Sequence, residues 1–528
     1  MRIQTTFLLA FATAALAAPA HGQAFADLKS ALVDYSKSDQ EPRKACEALG
    51  QFKSKEIAQI TATNVAASPA APAHCKVSGT LSPEIAFKVS LPAKWNGRFY
   101  MIGNGGHAGE SLEDPGRVAQ KNQALQLGFA FAQTNTGHDA RKEPGGSFVM
   151  SNPQKAIDYA WRAVHVTAET AKKIATDYYA KPITFSYWNS CSNGGRQGLL
   201  EAQRFPDDFD GIVANAPWVD QTGFTIGAIW NQKALTDVPV SAAKINLVAE
   251  KAMAKCDEID GLKDGLIDDP RKCSFDPGRD VPACREGSDT PDCLTSAQAA
   301  AIKKVYSGPV SQGKAFFPGY MVGSEALTPG QNGTNSGWLG PIIPAQPTAK
   351  PADFNLAEGV MRYLVLDPPQ AEYDTLKVDF DQAAKTIERW SKLADAKDAD
   401  LSKFRKSGGK LIMTYGWADT ILQPLQGVRY YESVAAKHGK DTADFVRLFM
   451  VPGMAHCGGG VGPDRNDAVT AVIDWVEKGQ APDHLIATKV TNGQPVRTRP
   501  LCPYPQVARY KGQGSIDDAA SFSCVAPK

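Results

Sequence analysis

Ile183-Thr184-Phe185-Ser186-Tyr187-Trp188-Asn189-Ser190-Cys191-Ser192-Asn193-Gly194-Gly195-Arg196 decides how this chain is read. Ile183 to Trp188 is an apolar, aromatic and β-branched run that predicts a strand. Arg196 to Phe205 continues as a helix, so Ser192 falls on a short strand-to-helix turn. Such a turn is strained and has no room for a side chain against sheet or helix, so small residues must flank the serine. Gly194 supplies one, two residues after Ser192, and Ser190 stands two residues before it, where glycine is more common. Serine is small enough to be tolerated there. Taken alone, the turn is also compatible with an ordinary helix start capped by Ser192.

Outward from this turn the pattern repeats. Ile85 to Leu91 alternates as a strand, and Arg98 to Ile102, Phe129 to Thr134 and Phe209 to Ala216 read as short buried strands. Asp158 to Ala175 has the apolar spacing of a helix, and Phe25 to Val65 reads as mostly helical before the Ala/Pro-rich link 66–73. Leu411 to Tyr415 and Phe445 to Val451 are further strands, and Asp467 to Lys478 a helix. Alternating strands and helices predict an α/β fold, a mainly parallel sheet covered on both faces. Between Trp218 and Arg405 that rhythm breaks, and the chain becomes rich in Pro, Gly, Asn and Cys. The expected organisation is a signal peptide at 1–24, an α/β-hydrolase core in two pieces (25–217 and 406–528), and a large inserted lid domain at 218–405. An insertion there sits over the end of the sheet where ligands bind.

Two further segments join the serine. Tyr415-Gly416-Trp417-Ala418-Asp419 and Gly453-Met454-Ala455-His456-Cys457-Gly458 each follow a predicted strand. Serine, acid and histidine in this chain order match an α/β-hydrolase triad. Ser192 is the candidate nucleophile, His456 the general base and Asp419 the acid that orients the imidazole. One oxyanion donor is expected from the backbone of Asn193, the residue after the nucleophile. The other is expected from the loop Gly103-Asn104-Gly105-Gly106, through Gly105 or Gly106.

Length, charge and cysteines bound the class. The chain has 528 residues and a net charge of +1, with no dense Lys/Arg run, so neither nucleic acid nor an anionic membrane is an expected partner. Met1-Arg2, the apolar run Phe7 to Ala18 and Gly22-Gln23-Ala24 read as an export signal. No later stretch has the length of a membrane span. The ten cysteines suit an oxidising compartment, periplasmic or extracellular. About 945 full pairings are open to them. Proximity along the chain suggests Cys46 with Cys75, Cys256 with Cys273, Cys284 with Cys293, and Cys502 with Cys524. Cys191 and Cys457, beside the candidate serine and histidine, then remain for each other. The alternative is that some are free buried thiols, since the residues alone do not fix connectivity.

The segment Cys256 to Pro270 carries clustered carboxylates and glycines of the kind a hard cation accepts. It is not an EF-hand: counted from Asp260, Leu262 and Arg271 stand where that loop needs acids. On the residues alone, a solvated acidic turn accounts for it.

These motifs together resemble the tannase/feruloyl esterase family of secreted serine esterases, which includes a mono(2-hydroxyethyl) terephthalate hydrolase. The resemblance runs from Cys46 to Cys524. It rests on Cys191-Ser192, Asp419 and His456-Cys457, on Gly103 to Gly106, on Phe205 to Gly211, and on the acidic loop. It implies the five disulfides just paired and a lid that shapes the acyl pocket. It also implies structural calcium, held by the carboxylates of Asp257, Asp260 and Asp264 and the main-chain oxygens of Leu262 and Leu266. The implied activity is hydrolysis of a small aromatic ester, feruloyl or galloyl in type. The alternatives are a terephthalate monoester, or a secreted calcium-dependent binding protein without catalysis. Trp218, Trp230, Phe316, Phe317, Tyr320, Trp338, Phe354 and Tyr363 offer aromatic surface in the insert, most of it expected to be the insert's own core. Arg362 and Phe354 do not have the spacing of the arginine and phenylalanine that hold a terephthalate monoester.

Overall fold

The computed structural model of the chain describes residues 24–326, 328–329, 335–346 and 348–527. The targeting segment expected at 1–24 lies, apart from Ala24, outside the described residues. Nine strands build one sheet: β1 (Ile57–Val65), β2 (His74–Leu81), β3 (Ile85–Pro92), β4 (Arg98–Ile102), β5 (Ala130–Thr134), β6 (Phe185–Cys191), β7 (Gly211–Asn215), β8 (Lys410–Gly416) and β9 (Val446–Val451). Their spatial order is β1-β2-β3-β5-β4-β6-β7-β8-β9. From β5 to β9 every neighbouring pair is parallel. The β1, β2 and β3 strands extend the sheet antiparallel.

Successive side chains on a strand point to opposite faces, and both faces are covered here. Phe99 and Met101 of β4, with Trp188, Ile212 and Leu411, pack against α2 (Ala163–Tyr179) and α3 (Asn193–Arg204). Tyr100 and Ile102, with Tyr187, Val213 and Ile412, pack against α1 (Pro115–Gln126) and the helix Ala468–Lys478. The Phe25 ring joins that second core beside Tyr100 and Phe129. Its backbone amide donates to Asp467, the acid that caps the C-terminal helix.

One expectation needs correction. Residues 25–65 are not mostly helical: a single short 3-10 segment, Cys46–Gln51, precedes β1. Ile57, Ile60, Thr61, Thr63 and Val65 are β-branched and lose side-chain freedom in a helix. Pairing with β2 along the sheet edge settles them as a strand.

The chain leaves the sheet after Asn215 and rejoins it at Lys410. What lies between is more regular than its composition suggests. It contains α4 (Gln221–Thr236), helices Ala242–Cys256 and Ser296–Ser307, α5 (Ala352–Gly359), a π-helical turn Val360–Val365 and α6 (Ala383–Ala394). Leu235, Ile245, Val248, Ile302, Val305 and Trp338 form a separate apolar core. Phe224, Ile229, Phe354 and Val360 instead continue the core under the sheet.

Candidate active site

The β6 strand ends at Cys191, α3 begins at Asn193, and Ser192 between them has φ +64° and ψ −125°. A non-glycine residue there is strained and holds only because its surroundings fix it. The Ser192 amide donates to Asn215 O at 2.9 Å, and its carbonyl accepts from Arg196 N and Trp218 N, both at 3.0 Å. Gly194 is required by close approach: a Cβ there would lie 1.9 Å from Ser190 Oγ and 3.1 Å from Asn104 N. Gly103 faces it across the gap, its own Cβ position 2.9 Å from Gly194 Cα. The loop after β4 thus packs directly on the first turn of α3.

Asp419 stands just beyond β8, fully buried. One carboxylate oxygen accepts from the amides of Ile421 (2.9 Å) and Leu422 (2.8 Å), and the other lies 2.8 Å from His456 Nδ1. Both loops are zipped together by backbone bonds, Trp417 N to Val451 O and Ala418 N to Met454 O, each 3.0 Å. Cys457 bonds Cys191 across 266 residues of sequence, with the Cα atoms 6.0 Å apart. The other four disulfides are Cys46–Cys75, Cys256–Cys273, Cys284–Cys293 and Cys502–Cys524, and no cysteine is free.

A cavity of about 620 Å³ opens over Ser192 and His456 and is walled by Gly103 to Gly106, Glu110, Arg117, Leu356 and Ile421. Its donors distinguish the two candidate glycines. The Gly105 amide is taken by Glu110 Oε1 at 2.9 Å, and the Gly105 carbonyl accepts from Ala108 N at 2.8 Å. Gly105 is therefore unsuited to an oxyanion. The amides of Gly106 and Asn193 have no acceptor among the described residues. Glu110, which spacing gave no reason to single out, makes this choice.

The aromatic residues of the 218–405 segment do not line this cavity. Trp218, Phe317, Tyr320, Trp338 and Phe354 are buried in cores, and Trp230, Phe316 and Tyr363 are half-buried elsewhere. Arg362 pairs with Glu358 and the Tyr373 carbonyl, away from the cavity. Arg117 does reach the wall, with its guanidinium engaged by Gly103 O, Glu110 and Gln133.

The acidic loop lies apart from the cavity. Asp257 Oδ1 accepts from the amides of Asp264 and Gly265, and Asp260 Oδ1 from Leu262 N, which curls the chain around its own carboxylates. Gly261 and Gly265, at φ +92° and +77°, make the two reversals. Burial raises the carboxyls of Asp260 and Asp264, and neighbouring acids add to it: Asp264 acts on Asp260 and Asp257 on Asp264. Asp268, which was not among the expected ligands, is pushed to about 7 by burial and then by Asp260. Arg499 bonds one oxygen of Asp264 and is the strongest local counter-charge on that acid. Mutually repelling carboxylates are the chemistry a hard divalent cation would neutralise, but among the described residues no three carboxylates of this loop bring oxygens within 4.8 Å of one another.

A strained serine between a parallel strand and a helix, with an acid and a histidine on loops after later strands, is the arrangement of an α/β-hydrolase. The chain belongs to the tannase and feruloyl esterase family, whose profile matches residues 62–525. It is a carboxylic ester hydrolase of that family. It is 33% identical to a mono(2-hydroxyethyl) terephthalate hydrolase of Piscinibacter sakaiensis, over 92% of each chain. It is 32% identical to a probable feruloyl esterase of Arthroderma benhamiae, over 85% of each. The crystal structure of feruloyl esterase B from Aspergillus oryzae superposes with a TM-score of 0.76 at 26% identity, covering 91% of this chain and all of that one.

Proposed function

We propose that this protein is a secreted serine esterase acting on neutral aromatic esters of the feruloyl or galloyl type. The observation that carries the reading is the His456–Asp419 pair, anchored at the ends of β9 and β8 and opening with Ser192 into one cavity. Ser192 Oγ attacks the ester carbonyl while His456 takes its proton, and Asp419 holds the imidazole and stabilises its charged form. The Gly106 and Asn193 amides receive the developing oxyanion. His456 then protonates the departing alcohol, and water, activated by the same histidine, releases the acid from the acyl-enzyme.

Charge favours a neutral acyl group. Glu110 and Asp114 line the cavity, and the guanidinium of Arg117 is already engaged. A substrate bearing a free carboxylate, such as a terephthalate monoester, gains no counter-charge there. That monoester is the second reading, favoured by the 33% identity to the Piscinibacter hydrolase. The segment 218–405 serves as the lid, supplying Leu356 to the cavity wall. Calcium, held by Asp257, Asp260 and Asp264 with the Leu262 and Leu266 carbonyls, would neutralise the acidic loop and brace it without entering the chemistry. Five disulfides support export to an oxidising compartment. No helix among the described residues is long and apolar enough to cross a membrane.

The test is hydrolysis of methyl ferulate, methyl gallate, mono(2-hydroxyethyl) terephthalate and a short p-nitrophenyl ester, each beside Ser192→Ala. Serine-dependent preference for the ferulate or gallate is expected. Preference for the terephthalate monoester would replace the acyl assignment, and turnover that survives Ser192→Ala would remove the mechanism.

A further inference from the structure

We propose that Tyr159 is a positioning residue for the oxyanion site, connected through Gln221 to Trp390 in the segment between β7 and β8. The inference rests on the serine-esterase reading above. Tyr159 lies in a π-helical turn, Asp158–Arg162, immediately before α2, and such turns recur at functional sites. The side chains of Tyr159, Gln221 and Trp390 are fully buried.

Their polarity fixes the direction of the chain of bonds. Trp390 Nε1 can only donate, and it donates to Gln221 Oε1 at 2.8 Å. The Gln221 amide nitrogen therefore faces Tyr159 and donates to its hydroxyl at 2.9 Å. The single hydroxyl proton goes to the Gly106 carbonyl at 3.0 Å, the nearer of its two acceptors, with Asn193 Oδ1 at 3.5 Å.

That contact completes a clamp. Glu110 holds the peptide entering Gly105, Ala108 N holds the Gly105 carbonyl, and Tyr159 holds the Gly106 carbonyl. The Gly106 amide lies between these fixed points, in a glycine-rich loop that would otherwise sample many conformations. The second donor is referenced to the same ring. Arg196 binds the Asn193 side-chain oxygen at 2.7 Å, and its guanidinium lies 5.1 Å from the Tyr159 ring centre. Arg196 also holds Ala160 O and Ala394 O, at 3.0 and 2.8 Å. A donor aimed before charge develops stabilises the transition state without reorganising, so the clamp acts on kcat and not on ground-state binding.

Tyr159→Phe keeps the ring and removes the hydroxyl. With methyl ferulate, kcat is expected to fall by about tenfold to a hundredfold, with KM changed by less than about twofold. An arylboronic acid, which forms a tetrahedral adduct on serine, should inhibit the variant correspondingly less well, while inhibition by free ferulic acid stays the same. Gln221→Leu leaves the tyrosine in place and should show the same pattern more weakly. Adding it to Tyr159→Phe should cost nothing further. Wild-type kcat in either folded variant, or equal losses in boronate and ferulate binding, would overturn the proposal. A dead Ser192→Ala beside a fully active Tyr159→Phe would bring down this inference alone. An active Ser192→Ala would bring down the serine-esterase reading beneath it.

Discussion

Cys191 and Cys457 join the turn that carries Ser192 to the loop that carries His456, so the candidate nucleophile and base are each one residue from a shared covalent bond. Closing so long a loop removes much of the unfolded chain's freedom. The double variant Cys191→Ser/Cys457→Ser is expected to lose about 2–4 kcal/mol of stability. Its turnover should fall even well below its melting temperature, because the two loops no longer share a fixed spacing. Full activity in the folded variant would show that the sheet alone holds the two loops at their spacing.

Gly194→Ala places a methyl group where Ser190 Oγ already lies. The expected cost is about 1–3 kcal/mol of stability from overpacking, with about a hundredfold loss of turnover from displacing the serine turn. Ser190→Gly removes the obstructing side chain. The pair Ser190→Gly/Gly194→Ala should therefore recover part of both losses, leaving the 3.1 Å approach to Asn104 N. Purely additive effects would contradict the contact.

Asp353 predicts a pH effect. Burial lifts its carboxyl to about 7, beside Asn231 and Tyr320. The ordinary aspartate value is about 3.9. Between these values the folded protein retains a proton that the unfolded chain has released, so stability falls as pH rises through this window. Asp353→Asn removes that slope. Relative to wild type, the variant should melt higher at pH 8 than at pH 4.5. A difference independent of pH would exclude Asp353 as the titrating group.

Removal of calcium is the fourth test. If Asp257, Asp260 and Asp264 hold the ion, chelation should lower the melting temperature. A ligand present at a hundred times its Kd contributes about 2.7 kcal/mol. Asp260→Asn should melt lower in calcium and respond less to chelator. An unchanged melting temperature in chelator would count against the site.

Local rules made much of this molecule legible from its residues. The serine turn could be read because the space between β6 and α3 dictates which residues fit within a few positions of Ser192. Asp419 and His456 were found because each follows a strand of recognisable composition. The choice between Gly105 and Gly106 was not readable, since it depends on Glu110 folding back onto the loop. Ile57 to Val65 was misread because pairing at a sheet edge outweighs apolar spacing. The aromatic residues of the insert identify apolar surface without telling whether it faces a core or a cavity.

Asn215 ends β7 and Lys410 begins β8, and the two strands pair in parallel with Lys410 against Gly211, so the excursion leaves one end of the sheet and returns at the other end of the adjacent strand. Its two ends are held at a fixed separation by strand pairing, whatever the intervening chain does. Natural variation can lengthen, shorten or rewrite that excursion away from Gln221 and Trp390 while Ser192, Asp419 and His456 keep their spacing. Substrate range is thereby free to drift from one lineage to another over chemistry that does not change.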